Sequence, residues 1–182
     1  MLQTFHRGIR DLKIALWLAE NSYGPAYDLL GARNATIAWQ IETDELRGDD
    51  VVLDRYAKPV SVTVDLEQAS VDLTAIDLFV GGTLVYNADY YDLSIKEGDE
   101  VPYLTIAGRV VGSGGTSDLQ FLVPKAKIAG NLQLQAQLDQ YMLPQAQFQG
   151  VHEGDTNGMI RFRHFTALTA LEIPLRTTTG GF

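Results

Sequence analysis

The chain has 182 residues, 46% of them hydrophobic, with 14 basic and 23 acidic side chains, a net charge of −9 and no cysteine. That apolar content excludes a disordered chain and suits one domain. The acidity argues against a protein that grips nucleic acid through its phosphates, and the missing thiols exclude disulfides, thiolate nucleophiles and Cys-bound zinc. The N-terminal MLQTFHRGIRD has no apolar leader and no window approaches a membrane span, so a soluble protein made in a cytoplasm is expected.

Residues 1–8 show no periodicity and read as an arm. Residues 9–19 alternate imperfectly, with Leu12, Ile14, Leu16 and Leu18 on one side and Lys13 and Trp17 on the other, which fits an amphipathic helix or a strand. Residues 21–25 are a turn by composition. Residues 34–82 organise the rest. Ile37, Trp39 and Ile41 share one strand face opposite Thr36, Gln40 and Glu42. Val60, Val62, Val64 and Leu66 then alternate with Ser61, Thr63, Asp65 and Glu67, the period of two of a strand with one buried face. Between them lies a short acidic tip with Glu42, Asp44, Glu45, Asp49, Asp50 and Asp54 around Arg47. A helix follows, with Ser70 as N-cap, Asp72 in its first turn, Leu73, Ile76 and Val80 on one face, and Gly81 and Gly82 as its stop.

Further on, Leu84, Tyr86, Tyr90, Tyr91, Leu93 and Ile95 mark a strand-prone stretch with an Asn-Ala-Asp interruption. A charged turn at 97–100, a strand over 103–111 and a Gly-Ser-Gly-Gly turn at 112–115 follow. That turn lacks the Lys and Ser/Thr of a phosphate loop. A strand over 119–123 is expected to break at Pro124. Residues 128–138 read as a regular strand, with Leu132, Leu134, Ala136 and Leu138 alternating with Asn131, Gln133, Gln135 and Gln137. Gln145, Gln147 and Gln149 continue that pattern around Ala146 and Phe148. A polar loop at 151–158, a bent last strand over 159–173 ended by Pro174, and a mobile tail at 177–182 complete the chain. The sum is a single mostly β domain over 1–182: a β-sandwich or partial barrel with one short helix and a long hairpin.

The acidic tip lacks the alternating oxygen ligands and distal Glu of a calcium loop. Its reading is a solvated tip, or one that joins subunits through Asp44, Glu45, Leu46, Arg47, Gly48, Asp49, Asp50 and Leu53, with Arg161, Arg163 and Arg176 as the basic counterpart. His6, His152 and His164 are scattered and no G-x-S-x-G elbow occurs, so no catalytic residue, metal site or cofactor is expected. The glutamines 133, 135, 137, 145, 147 and 149 make a neutral wet face; the sharper reading is a lumen lining or a joint between subunits.

The segment GPAYDLLGARNATIAWQIETDELRGDD resembles the N-terminal half of siphophage-type major tail proteins, the subunits of the tail tube. The likeness covers residues 9–82 and rests on Glu45, Leu46, Gly48, Asp49 and Asp50 at the hairpin tip and a short helix closing at Gly81. It implies a strand rather than a helix over 9–19, and homohexameric rings stacked into a tube that contacts other tail proteins. It further implies a virion tail assembled in the host cytoplasm, through which DNA travels; the acidity leads us to expect passage without specific binding, and the residues themselves no membrane partner and no enzyme activity. The competing expectation is a ligand- or carbohydrate-binding β-sandwich module that stacks its ligand on Trp17, Trp39 or the Tyr86, Tyr90, Tyr91 cluster.

Overall fold

The computed structural model of the chain describes residues 6–48, 51–68, 72–130, 132–134, 138, 144–154 and 158–174. The expected arm at 1–8 lies mostly outside them, and the tail at 177–182 and Arg176 wholly so. Among the described residues no helix is long and apolar enough to cross a membrane.

Residues 9–19 fall in strand β1 (His6–Ala19), which pairs antiparallel with β8 (Leu104–Gly112) from Ile9 opposite Val110 to Leu16 opposite Leu104. Tertiary pairing decides what the imperfect alternation left open: Leu12 and Ile14 are buried, Leu16 is half-buried, and Leu18 has run past the core into solvent. Two short strands, β2 (Ser22–Tyr23) and β3 (Tyr27–Asp28), pair with β1. The long hairpin is β4 (Ala32–Gly48) and β5 (Val51–Gln68). Helix α1 (Leu73–Val80) and a separate small hairpin, β6 (Thr83–Tyr86) with β7 (Tyr91–Ser94), precede β8. Then come β9 (Asp118–Ile128), β10 (Gln145–Gly150) and β11 (Arg161–Phe165).

The main sheet is antiparallel, with strand order β2-β1-β8-β9-β10-β5-β4. Its inner face supplies one core: Leu12 and Ile14 from β1, Val62, Val64 and Leu66 from β5, Leu104 and Ile106 from β8, Phe121 and Val123 from β9, Ala146 and Phe148 from β10. The sheet curls far enough for β4 to approach β1, and Ala35 and Ile37 of β4 pack on the same cluster. Helix α1 adds Ala75 and Phe79, the latter edge-on to Phe148 with ring centroids 5.0 Å apart. The fold is mostly β and sandwich-like, as its alternation implied. Gly108 makes room for the ring of Phe121, since a Cβ there would stand 2.3 Å from it.

Several local expectations are corrected. The N-cap of α1 is Asp72, whose carboxylate accepts from the Thr74 backbone N–H at 2.9 Å; Ser70 lies before the helix and outside the described residues. The buried face is Ala75, Ile76 and Phe79, while Leu73 and Val80 are only half-buried. Gly81 does end the helix in the left-handed conformation, φ 72°, and a side chain there would also collide with the Glu100 carbonyl.

Strand β9 does not stop at Pro124. Ile106 faces Val123 while Leu104 faces Ala126, so β9 carries one extra residue at this point, a bulge. The bulge takes a residue with no N–H out of the ladder, and Thr105 Oγ1 donates to the Pro124 carbonyl at 2.7 Å. The regular strand expected over 128–138 is reduced, among the described residues, to a single bridge between Gln133 and Gln145. Among the described residues the last strand is β11 alone. Residues 166–174 instead cross the outer face of β8 and β9, where Leu171 packs on Ala107 and Leu122. Buried Asp118 accepts from the Thr169 N–H at 3.0 Å, and Gln120 and Arg109 donate to the Thr169 carbonyl at 2.9 Å.

Candidate interface on the long hairpin and the glutamine face

The hairpin outruns the sheet that holds it. Strand β10 is six residues long and covers β5 only from Glu67 to Val62. Beyond the Gln40–Ser61 pair the hairpin is a ribbon of two strands, and every described side chain on it except Glu45 is exposed. Most of the expected short acidic tip is therefore paired strand. Asp44 faces Tyr56, Glu45 faces Arg55, Leu46 faces Asp54, and the ladder runs on to Gly48 opposite Val51. Asp49 and Asp50 lie outside the described residues.

A register shift marks where the arm leaves the body. Gln40 faces Ser61 but Ile41 faces Pro59, so Val60 is an extra residue and no longer continues the buried Val62, Val64, Leu66 face. It is 40% exposed. Trp39 and Ile41, on the core-facing side by alternation, also emerge into solvent, Trp39 leaning on Phe162 of β11 with ring centroids 6.1 Å apart. With Leu46, Val51, Leu53 and Tyr56 they make the arm rich in exposed apolar groups.

The arm's charge is balanced within the ladder more than its acids suggest. Glu45 pairs with Arg55 across the strands and with Arg47 Nη2 at 2.9 Å, and Lys58 Nζ lies 3.5 Å from Glu42. Such exposed pairs contribute less than ~1 kcal/mol each. Arg161 and Arg163 are not among these partners; both sit on β11, half-buried. The charge of Arg161 instead acts on Tyr23. The pairing expected of the arm acids with these two arginines is one between subunits.

Sequence reasoning passed over Arg55 and Lys58, which stand opposite Glu45 and Glu42 because the ladder skips Leu53, a register shift that simple counting does not foresee. It also passed over Glu153. This carboxylate is buried and accepts from Trp17 Nε1 at 2.7 Å, from the Asn21 N–H at 3.3 Å and from the Tyr23 hydroxyl at 3.1 Å. Burial, then the hydrogen bond to Glu153, hold the Tyr23 hydroxyl well above its ordinary pKa, so it remains a donor. Lys125 lies 3.9 Å from the centre of the Trp17 ring, on the same outer face. Glu153 ties the β1–β2 turn to the segment after β10. His152 and His164 are exposed, and among the described residues no group of His, Cys, Asp or Glu has metal-site geometry.

The glutamine face is real on β10: Gln145, Gln147 and Gln149 are exposed and alternate with buried Ala146, Phe148 and Gly150. Gln133 joins it through paired backbone hydrogen bonds with Gln145 of 3.0 and 3.1 Å. Gln135 and Gln137 lie outside the described residues. No protein-family model and no curated protein sequence matches the chain.

Proposed function

We propose that this chain is a structural subunit of a phage-like tail tube, which closes into rings, hexameric by its resemblance, and stacks them around a channel for DNA. One observation carries the reading. A two-stranded ribbon projects from a well-packed body and exposes Ile41, Leu46, Val51, Leu53 and Tyr56, which its own body does not cover. A bare two-stranded ribbon is marginal in water, so such an arm makes physical sense when a neighbouring copy covers it. Fully burying one aliphatic side chain is worth about 1.5–3 kcal/mol, more than any exposed ion pair, so the apolar groups anchor and the Glu42, Asp44, Glu45, Arg47 charges set register. Repetition around a ring multiplies each weak contact.

The net charge of −9 suits a channel that DNA must leave freely. Acidic walls repel phosphates over about one Debye length, ~8 Å at physiological salt, and the glutamine face adds hydrogen bonding without positive charge. The chain acts in this reading as a wall in the virion tail, assembled in the host cytoplasm beside other tail proteins, with no catalysis and no cofactor. The competing reading, a carbohydrate-binding module, draws on Tyr86, Tyr90 and Tyr91, all at least 60% exposed. Tyr86 and Tyr91 meet edge to face, at 85°, which offers a sugar no continuous flat platform. Negative-stain microscopy of the purified protein at rising concentration separates the two. Rings or tubes are expected, and a discrete small species that binds a glycan array through the tyrosine hairpin would overturn the proposal.

A further inference from the structure

On the outer face of the sheet, β4, β5 and β10 line up polar side chains in two rows. Asn34 stands beside Glu67, Glu67 beside Gln145 and Gln145 beside Gln133; in the next row Thr36, Asp65 and Gln147 are neighbours. Leu66, Ala146 and Gly130 complete the walls of a cleft of about 500 Å³. That volume is within the range of small-ligand sites, roughly 300–1,000 Å³.

Among the described residues the lining holds two carboxylates and four amide side chains, and no lysine, arginine or aromatic ring. Two basic side chains near this face do not line the cleft. Arg33 Nη1 lies 3.8 Å from Glu67 Oε1, but its side chain is 63% exposed. Lys127, opposite Gln149 on the same face, sits 5.0 Å over the Tyr103 ring instead of lining the cleft. Gln147 Nε2 donates to Asp65 Oδ1 at 2.7 Å, which orients that carboxylate. Acceptors outnumber donors, so an anion is repelled, and an apolar ligand would have to desolvate the two carboxylates. The chemistry that fits is a cationic group rich in donors. Asp65 and Glu67 are two residues apart on one strand face, about 7 Å along the strand. Two ammonium groups with that separation each meet one carboxylate, with amide oxygens as further acceptors.

We propose that this cleft binds paired alkylammonium groups, supplied by a free linear diamine or by two lysines at alternate positions of an extended polypeptide. The inference stands apart from the tube reading, since it rests only on the outer face of β4, β5 and β10. Calorimetric titration of the full chain at low salt with 1,4-diaminobutane, butylamine and acetyl-Lys-Ser-Lys-amide tests it. One diamine or one peptide per chain should bind, about tenfold more tightly than the monoamine, and the affinity should fall with added salt. The isosteric double variant Asp65→Asn/Glu67→Gln should lose about tenfold or more, whereas Asp89→Asn/Asp92→Asn, the same charge change on the β6–β7 hairpin, should bind as the parent does. Binding by the diamine alone identifies a free amine as the ligand, and binding by the peptide alone identifies a polypeptide. Saturation by neither probe, a monoamine as tight as the diamine, or equal losses in both double variants would overturn the proposal.

Discussion

One strand, β5, lives in two environments. From Val62 to Leu66 it lies between β4 and β10, and Val62, Val64 and Leu66 are at most 6% exposed. From Val51 to Val60 it has β4 alone beside it, and Val51, Leu53, Tyr56 and Val60 are 40–66% exposed. The residue types differ little between the two halves; what differs is the third strand and the helix over it. An alternating apolar pattern therefore marks a face that wants cover, and whether the cover comes from the same chain is a separate question.

The contrast is broken most forcefully in the body. Phe148→Ala removes a fully buried ring that meets Phe79, and should cost about 3–5 kcal/mol in urea unfolding. Trp39→Ala at the root of the arm removes a larger but half-exposed ring and should cost roughly 1 kcal/mol. Equal losses would mean that arm and body are one cooperative core. Next in size, Leu46→Ser with Leu53→Ser should leave the melting temperature of the unassembled subunit unchanged while weakening assembly by about 2–4 kcal/mol per subunit, read by light scattering against concentration. Unaltered assembly would remove the apolar anchors from the account.

Smaller effects sit on helix α1, where two aspartates five residues apart should answer pH in opposite ways. Burial pushes Asp72 up, but the hydrogen bonds it accepts from Tyr27, Thr74 and Ala75 outweigh that and hold it below its ordinary 3.8. Its stabilisation is present above that value and is lost as pH falls through the lower folded-state value. Asp72→Ala should cost about 1 kcal/mol at neutral pH, less in acid, and should bring the Tyr27 hydroxyl down from about 12. Asp77 is shifted upward by burial, its Oδ1 has no partner among the described residues, and its charge lies near the helix C-terminus. Its folded form is favoured in acid and penalised as pH rises through the raised value, so Asp77→Asn should gain about 0.5 kcal/mol at neutral pH and nothing below the ordinary carboxylate range. Thermal melts of both variants across acid to neutral pH would reveal a wrong sign in either.

How far the sequence was legible follows the reach of each interaction. The Val62, Val64, Leu66 face and the exposed Gln145, Gln147, Gln149 set were readable because period two is local. Gly81 was readable because a left-handed helix stop favours glycine locally, whereas the close approach of the Glu100 carbonyl that also demands it is tertiary. Asp72 was misassigned by two positions because Ser70 and Asp72 are both good caps, and the Tyr27 hydroxyl that engages Asp72 comes from β3. Pro124 was read as a break because the bulge that accommodates it depends on the register with β8. The acidic tip looks short and strongly charged when its acids are counted without their cross-strand partners Arg55 and Lys58. The cleft at Asp65 and Glu67 needs three strands in register and has no signature in any one of them.

The most direct test of the account is to remove the arm and keep the body. Replacing residues 44–56 with an Asn-Gly turn closes the hairpin at the Thr43–Ala57 pair, in the ribbon beyond β10. Circular dichroism and thermal melting should report a folded subunit within a few degrees of the parent, and negative-stain microscopy of the two proteins side by side should show rings or tubes from the parent alone. Tubes of normal length from the shortened chain would contradict the claim that the arm exists to join subunits.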